Sequence, residues 1–135
     1  MLKLKGLIFL VLVCSFAVRG QFNNYVLSEI EINVAERHIP FYNKAKLSIE
    51  TRQYAEAVSP LDSLLKIYPN LNSVSFLSGI CKSNTELYKK QGLVEIKKAI
   101  GRSIELPDYF YWLAFSYEKN DSINKAGMYY KKYLN

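Results

Sequence analysis

Four sets of residues recur along this chain at steps of 34 and 35 positions, a length that holds two helices and their turns. Ala45, Gly79 and Ala114 are separated by 34 and 35 residues. Ala57, Gly92 and Ala126, then Leu61, Ile96 and Tyr130, then Leu64, Ala99 and Tyr133 are each separated by 35 and 34. One unit therefore occurs three times. The single extra residue always falls between Gly79 and Gly92, which places it in the loop SNTELYKKQ (83–91), where an insertion costs least. Two of the sets are mostly small residues and two are mostly bulky and apolar. Small residues let the two helix axes of a unit approach closely, and bulky ones fill the space between units.

The chain between these anchors reads as helices with apolar stripes at i, i+3 and i+4. Pro40 suits the first turn of a helix over 40–51, because its missing N–H would be unpaired there. A second helix over 54–67 buries Ala57, Leu61, Leu64 and Leu65, carries Pro60 near its start and is stopped by Pro69. Asn72 or Ser73 is expected to cap the third helix, 88–104 to form the fourth, Pro107 and Asp108 to start the fifth, and Asp121 or Ser122 to cap the sixth. Residues 21–37 are two-sided. Val26, Ile30 and Val34 share a helical face, while Ile30, Ile32 and Val34 also alternate as in a strand. The expectation is a helix over 24–37 that covers the open end of the first unit.

These residues resemble the tetratricopeptide repeat, a 34-residue helix-turn-helix. The first unit (38–71) matches with Ala45, Tyr54 ahead of Ala57, Leu61, Leu64 and Pro69, and the third (107–135) with Leu113, Ala114, Tyr117, Ala126 and Tyr130, Tyr133 standing where a smaller residue is usual. The second unit (72–106) matches with Gly79, Gly92, Ile96 and Ala99, but Pro107 comes three residues late, so that its second helix is a turn longer or its exit irregular. The resemblance implies an all-α, right-handed superhelix of three repeats with a short capping segment in front. It also implies a concave protein-binding face, lined by the first helix of each unit. Transferred by register, that face carries Tyr42, Lys46, Ile49, Phe76, Ile80, Ser83, Tyr111, Phe115, Glu118 and Lys119. An extended peptide or a partner's helix suits such an aromatic, mildly polar groove. The clamp of basic and Asn residues by which some family members hold a C-terminal carboxylate has no counterpart in matching positions. Repeat arrays normally end in a polar helix. Here Met128, Tyr129, Tyr130, Tyr133 and Leu134 form a C-terminal face that calls for self-association, a docked partner or a further region of chain.

Residues 1–20, MLKLKGLIFLVLVCSFAVRG, combine Lys3 and Lys5, an apolar run from Leu7 to Val18, and Gly20 ahead of Gln21. This is the pattern of a secretory signal peptide cleaved after Gly20, its apolar run being too short for the roughly 20 residues that span a bilayer. Cys14 would be the site of lipid attachment, but Val13 stands before it where that processing wants Gly, Ala or Ser. Cleavage removes Lys3, Lys5 and Arg19, so that the 18 basic residues fall to 15 against 12 acidic ones. The remaining lysine pairs, Lys89/Lys90, Lys97/Lys98 and Lys131/Lys132, alternate with apolar positions and read as solvated helix faces rather than a nucleic-acid stripe. Export would also remove access to nucleic acid.

One His and two Cys cannot build a multi-ligand His/Cys metal site, there is no Gly-rich phosphate loop, and no Ser or carboxylate pair stands at a motif spacing to recruit His38. No enzyme, cofactor or metal is therefore expected. His38 reads as a surface residue ahead of a helix and Cys81 as a small buried hydrophobe, alone in the processed chain and unable to form an internal disulfide. Asp62-Ser63-Leu64 and Asp121-Ser122-Ile123 resemble the O-glycosylation acceptor of some Gram-negative envelope proteins. The order of signal peptide, leader and repeats, with Gly79-Ile80-Cys81 in the middle and the ending Tyr129 to Leu134, is similar to the N-terminal part of multidomain OmpA-like envelope proteins. That likeness implies a protein-binding scaffold of the periplasm or cell envelope, standing alone or as part of a larger assembly.

Overall fold

A computed structural model describes residues 26–102 and 108–135. The signal segment with Cys14, residues 21–25 of the leader, and the exit of the second unit at 103–107 with Pro107 lie outside the described residues. The described chain is all-helical, with no strand. Residues 26–33 form α1, and a 3-10 turn, Glu36–His38, leads into α2 (Ile39–Glu50). Then come α3 (Tyr54–Ile67), α4 (Asn72–Ser83), α5 (Lys89–Arg102), α6 (Tyr109–Lys119) and α7 (Ile123–Leu134). α2 packs on α3, α4 on α5 and α6 on α7, and successive pairs meet through α3 with α4 and α5 with α6. The first helices of the second and third pairs, α4 and α6, also touch.

The recurring residues are the core. Ala45, Ala57, Leu61, Leu64, Ile96, Ala99, Ala114, Ala126 and Tyr130 are fully buried, Gly79 and Gly92 are buried in α4 and α5, and Tyr133 is half-buried. Burial is tightest around α4, where every residue from Ser73 to Ser83 is covered. Helix, not strand, is the state of the segment ahead of the first pair: Val26 and Ile30 are buried on α1, with Val34 just beyond it. This helix ends at residue 33 rather than 37, because Ala35 is extended and its N–H is taken by the Tyr68 hydroxyl at 2.9 Å.

None of the expected side-chain caps forms. Asn72, Asp108 and Ser122 stand at helix starts without a capping hydrogen bond. Ser73 instead donates to the Glu29 carboxylate of α1, and Asp108 is itself left-handed at φ 53°. The turns inside the first and third pairs are equivalent instead. Arg52 and Asp121, 69 residues apart, are left-handed at φ 59° and 60°. The next N–H in each case reaches back five residues, Gln53 to the Ser48 carbonyl at 2.7 Å and Ser122 to the Tyr117 carbonyl at 2.9 Å. The middle unit, with its extra residue, turns through Asn84–Tyr88 without such a position. Pro60 sits within α3 and does not break it.

Candidate functional site

The residues expected on the concave face divide into two groups. Tyr42, Phe76, Ile80, Ser83 and Tyr111 are buried in the folded chain, so that these five do not form the open surface that register assigned to them. Lys46, Ile49, Phe115 and Glu118 are half-buried and Lys119 is exposed. Two of the buried five have a plain cause. α1 lies over Tyr42, whose hydroxyl donates to Glu31 Oε1 at 2.9 Å, and the Ser83 hydroxyl is paired with that of Ser116 at 2.7 Å, joining α4 to α6. Burial, then the hydrogen bond to Glu31, raises the Tyr42 phenol well above its ordinary range.

Aromatic side chains concentrate on α6 and α7. Tyr111 lies 4.9 Å from Trp112, 6.4 Å from Phe115, 5.9 Å from Tyr130 and 5.6 Å from Tyr133, between ring centroids. Its hydroxyl is buried and has no hydrogen-bond partner among the described residues. Lys119 Nζ stands 5.3 Å over the Phe115 ring, one turn along, an arrangement that holds a cation beside an apolar face. Of the expected C-terminal face, Tyr130 is fully buried and donates to Glu118 Oε2 at 2.8 Å, with burial and that bond raising its phenol far above the ordinary range. Tyr129 is half-buried and stacks on Tyr117 at 5.5 Å, Tyr133 is half-buried, and Met128 and Leu134 are exposed.

Lys82 went unseen in the sequence. On α4 it is wholly buried, and its ammonium donates to Asp62 Oδ1 of α3 at 2.6 Å and Glu95 Oε1 of α5 at 2.5 Å. Burial opposes the charge, but the two carboxylates outweigh it and hold the lysine above its ordinary range. The second Glu95 oxygen is buried without a partner. A signal was available: Lys82 falls in register with Ser48 and Tyr117, both of which are buried. The geometry makes it a tie between the first and second helix pairs.

His38 is half-buried. Its Nδ1 lies 2.8 Å from the Tyr68 hydroxyl, which also accepts the Ala35 N–H, so the pair pins the 3-10 turn to the end of α3. Cys81 is fully buried, and burial, reinforced by Glu95 and opposed by Lys82, pushes its thiol up to about 12. Ser63 and Ser122 line shallow surface hollows of about 360 and 320 Å³. Among the described residues no three His, Cys, Asp or Glu side chains converge as a metal site, and no helix is long and apolar enough to cross a membrane. No family model matches the chain, and no curated protein and no solved structure matches it.

Proposed function

We propose that this chain is a non-enzymatic, exported scaffold of the periplasm or cell envelope. In this reading its three helix pairs wind in a right-handed, tetratricopeptide-like superhelix and hold an extended peptide or partner helix against α2, α4 and α6. Support comes from the recurrence of one unit, the burial of its recurring residues, and the contact of α4 with α6, the arrangement expected of first helices that line one side. The observation that carries the reading is the end of the α6 ring series, where buried Tyr111 leads to the half-buried Phe115 and the exposed Lys119 stands 5.3 Å over the Phe115 ring. Phe115 supplies apolar area and Lys119 attraction for an acidic group beside it.

The test is site-specific photo-crosslinking in the host that makes the protein. A crosslinker at Phe115 is expected to capture a protein partner, and one at Val94, which is 63% exposed on α5, is not. Lys119→Glu should lower the crosslink yield at Phe115, because it reverses the attraction for an acidic group beside the ring. Equal capture from both sites, or a yield indifferent to Lys119→Glu, would overturn the groove.

A further inference from the structure

The outward stripe of α7 can be identified by register. In α3 the residues Tyr54, Val58, Asp62 and Leu65 run along one side. Val58 is buried and Asp62 pairs with Lys82 of α4, so this side carries the next helix pair. Their equivalents 69 positions on are Ile123, Gly127, Lys131 and Leu134 of α7. There the apolar members stay open, Ile123 43% and Leu134 39% exposed, and Lys131 is exposed too. Gly127 between them is buried within the chain, so that the open part of the stripe is Ile123, Lys131 and Leu134. The charge is inverted relative to α3: where Asp62 meets a lysine, Lys131 calls for an acid.

The opposite end of the same molecule has that chemistry. α1 carries Glu29 and Glu31 with no basic residue, whereas α7 carries Lys125, Lys131 and Lys132 with no acidic one. The polarity extends through the chain, with six acids against four bases over 26–62 and eleven bases against six acids over 63–135. On α1, Ile32 is 82% exposed, and Glu31 beside it keeps half of its side chain in solvent while accepting from Tyr42 and lying 3.8 Å from the Lys46 ammonium of its own chain. An apolar residue flanked by acid at one end thus faces, in the next molecule, apolar residues flanked by lysine at the other.

We propose that copies of this chain associate head to tail, the exposed Ile123, Lys131 and Leu134 of α7 in one copy packing on α1 of the next around Ile32, with Lys131 paired to Glu31. Different patches meet, so the contact is heterologous, and each added copy offers a free patch to the next until a ring closes. This surface is separate from the groove around Tyr111.

Sedimentation velocity of the protein, purified in the form its host accumulates, tests the arrangement. In about 0.1 M salt the weight-average mass is expected to rise at least twofold across the accessible concentration range, and to return towards the monomer near 1 M salt, where the Debye length is about 3 Å. Lys131→Glu and Ile32→Lys should each stay monomeric alone, with unchanged circular dichroism, and form dimers when mixed, because the unaltered α1 of the first then meets the unaltered α7 of the second. A mass independent of concentration overturns the proposal. So does a mixture that stays monomeric, or association between Lys131→Glu and the unaltered chain stronger than that of the unaltered chain alone, which would place α7 against α7.

Discussion

Gly79 and Gly92 meet where α4 crosses α5: a Cβ on Gly92 would stand 2.7 Å from the Gly79 carbonyl oxygen and 2.6 Å from the Ser83 backbone nitrogen. Backbone atoms cannot turn aside as a side chain can, so any larger residue must push the two helices apart. Gly92→Ala is expected to cost about 2–3 kcal/mol in urea unfolding, even after the gain of about 1 kcal/mol from better helix propensity. Gly101 on the same helix is exposed and has open space around it, and Gly101→Ala should gain about that 1 kcal/mol. Equal stabilities for the two variants would mean that the crossing is looser than described.

Removing the buried ammonium tests its role as a tie. Lys82→Met leaves Asp62 and the nearly buried Glu95 without their cation and should destabilise the chain by about 3–5 kcal/mol. Adding Glu95→Gln removes the more deeply buried of the two orphaned charges, so the double variant should be more stable than Lys82→Met alone. A double-mutant cycle read by chemical denaturation decides it, and strict additivity would refute the coupling.

The left-handed turn positions predict a gain. An L residue in that conformation costs roughly 1–2 kcal/mol, part of which glycine's extra chain entropy offsets. Arg52→Gly and Asp121→Gly are each expected to raise stability by about 0.5–1 kcal/mol, and Arg52→Val to lower it. Thermal unfolding that ranks Arg52→Val above Arg52→Gly would contradict the backbone geometry.

Alkaline pH should unfold the chain. Tyr42, Lys82 and Tyr130 are all raised above their ordinary values, so the folded state keeps protons that the unfolded chain gives up. Their stabilisation is complete below about pH 10, the ordinary range of both groups, and is lost as pH rises beyond it. Urea midpoints should be flat with respect to these groups up to that point and fall above it. Phenolate absorbance should show two tyrosines that ionise only as the helical signal disappears.

The period of 34 and 35 located the core because burial itself repeats: small residues mark each crossing, and all but Tyr133 of the recurring positions are buried. The limits of α2 and α3 followed from Pro40, Pro69 and the apolar stripes to within a residue, whereas α1 ends four residues before the expected 37, because Ala35 is extended. The caps were misjudged, since polar residues at helix starts suit both capping and tertiary bonds, and Ser73 takes the latter with Glu29. Register gives the direction in which Tyr42 or Ser83 projects, but not that α1 covers the one and Ser116 engages the other. Lys82 escaped because a lysine reads as surface unless its place in the repeat is compared with Ser48 and Tyr117.

The complete enclosure of α4, from Ser73 to Ser83, bears on how the chain comes apart. α1 and α7, each covered on one side, can fray alone, whereas α4 is released only when the helices on both sides of it have gone. Its amide hydrogens and the Cys81 thiol therefore serve as clocks for global opening, exchanging with solvent or reacting with a thiol reagent at one common rate. A molecule gripped at α6 and α7 would slow both clocks, although neither reporter touches the grip.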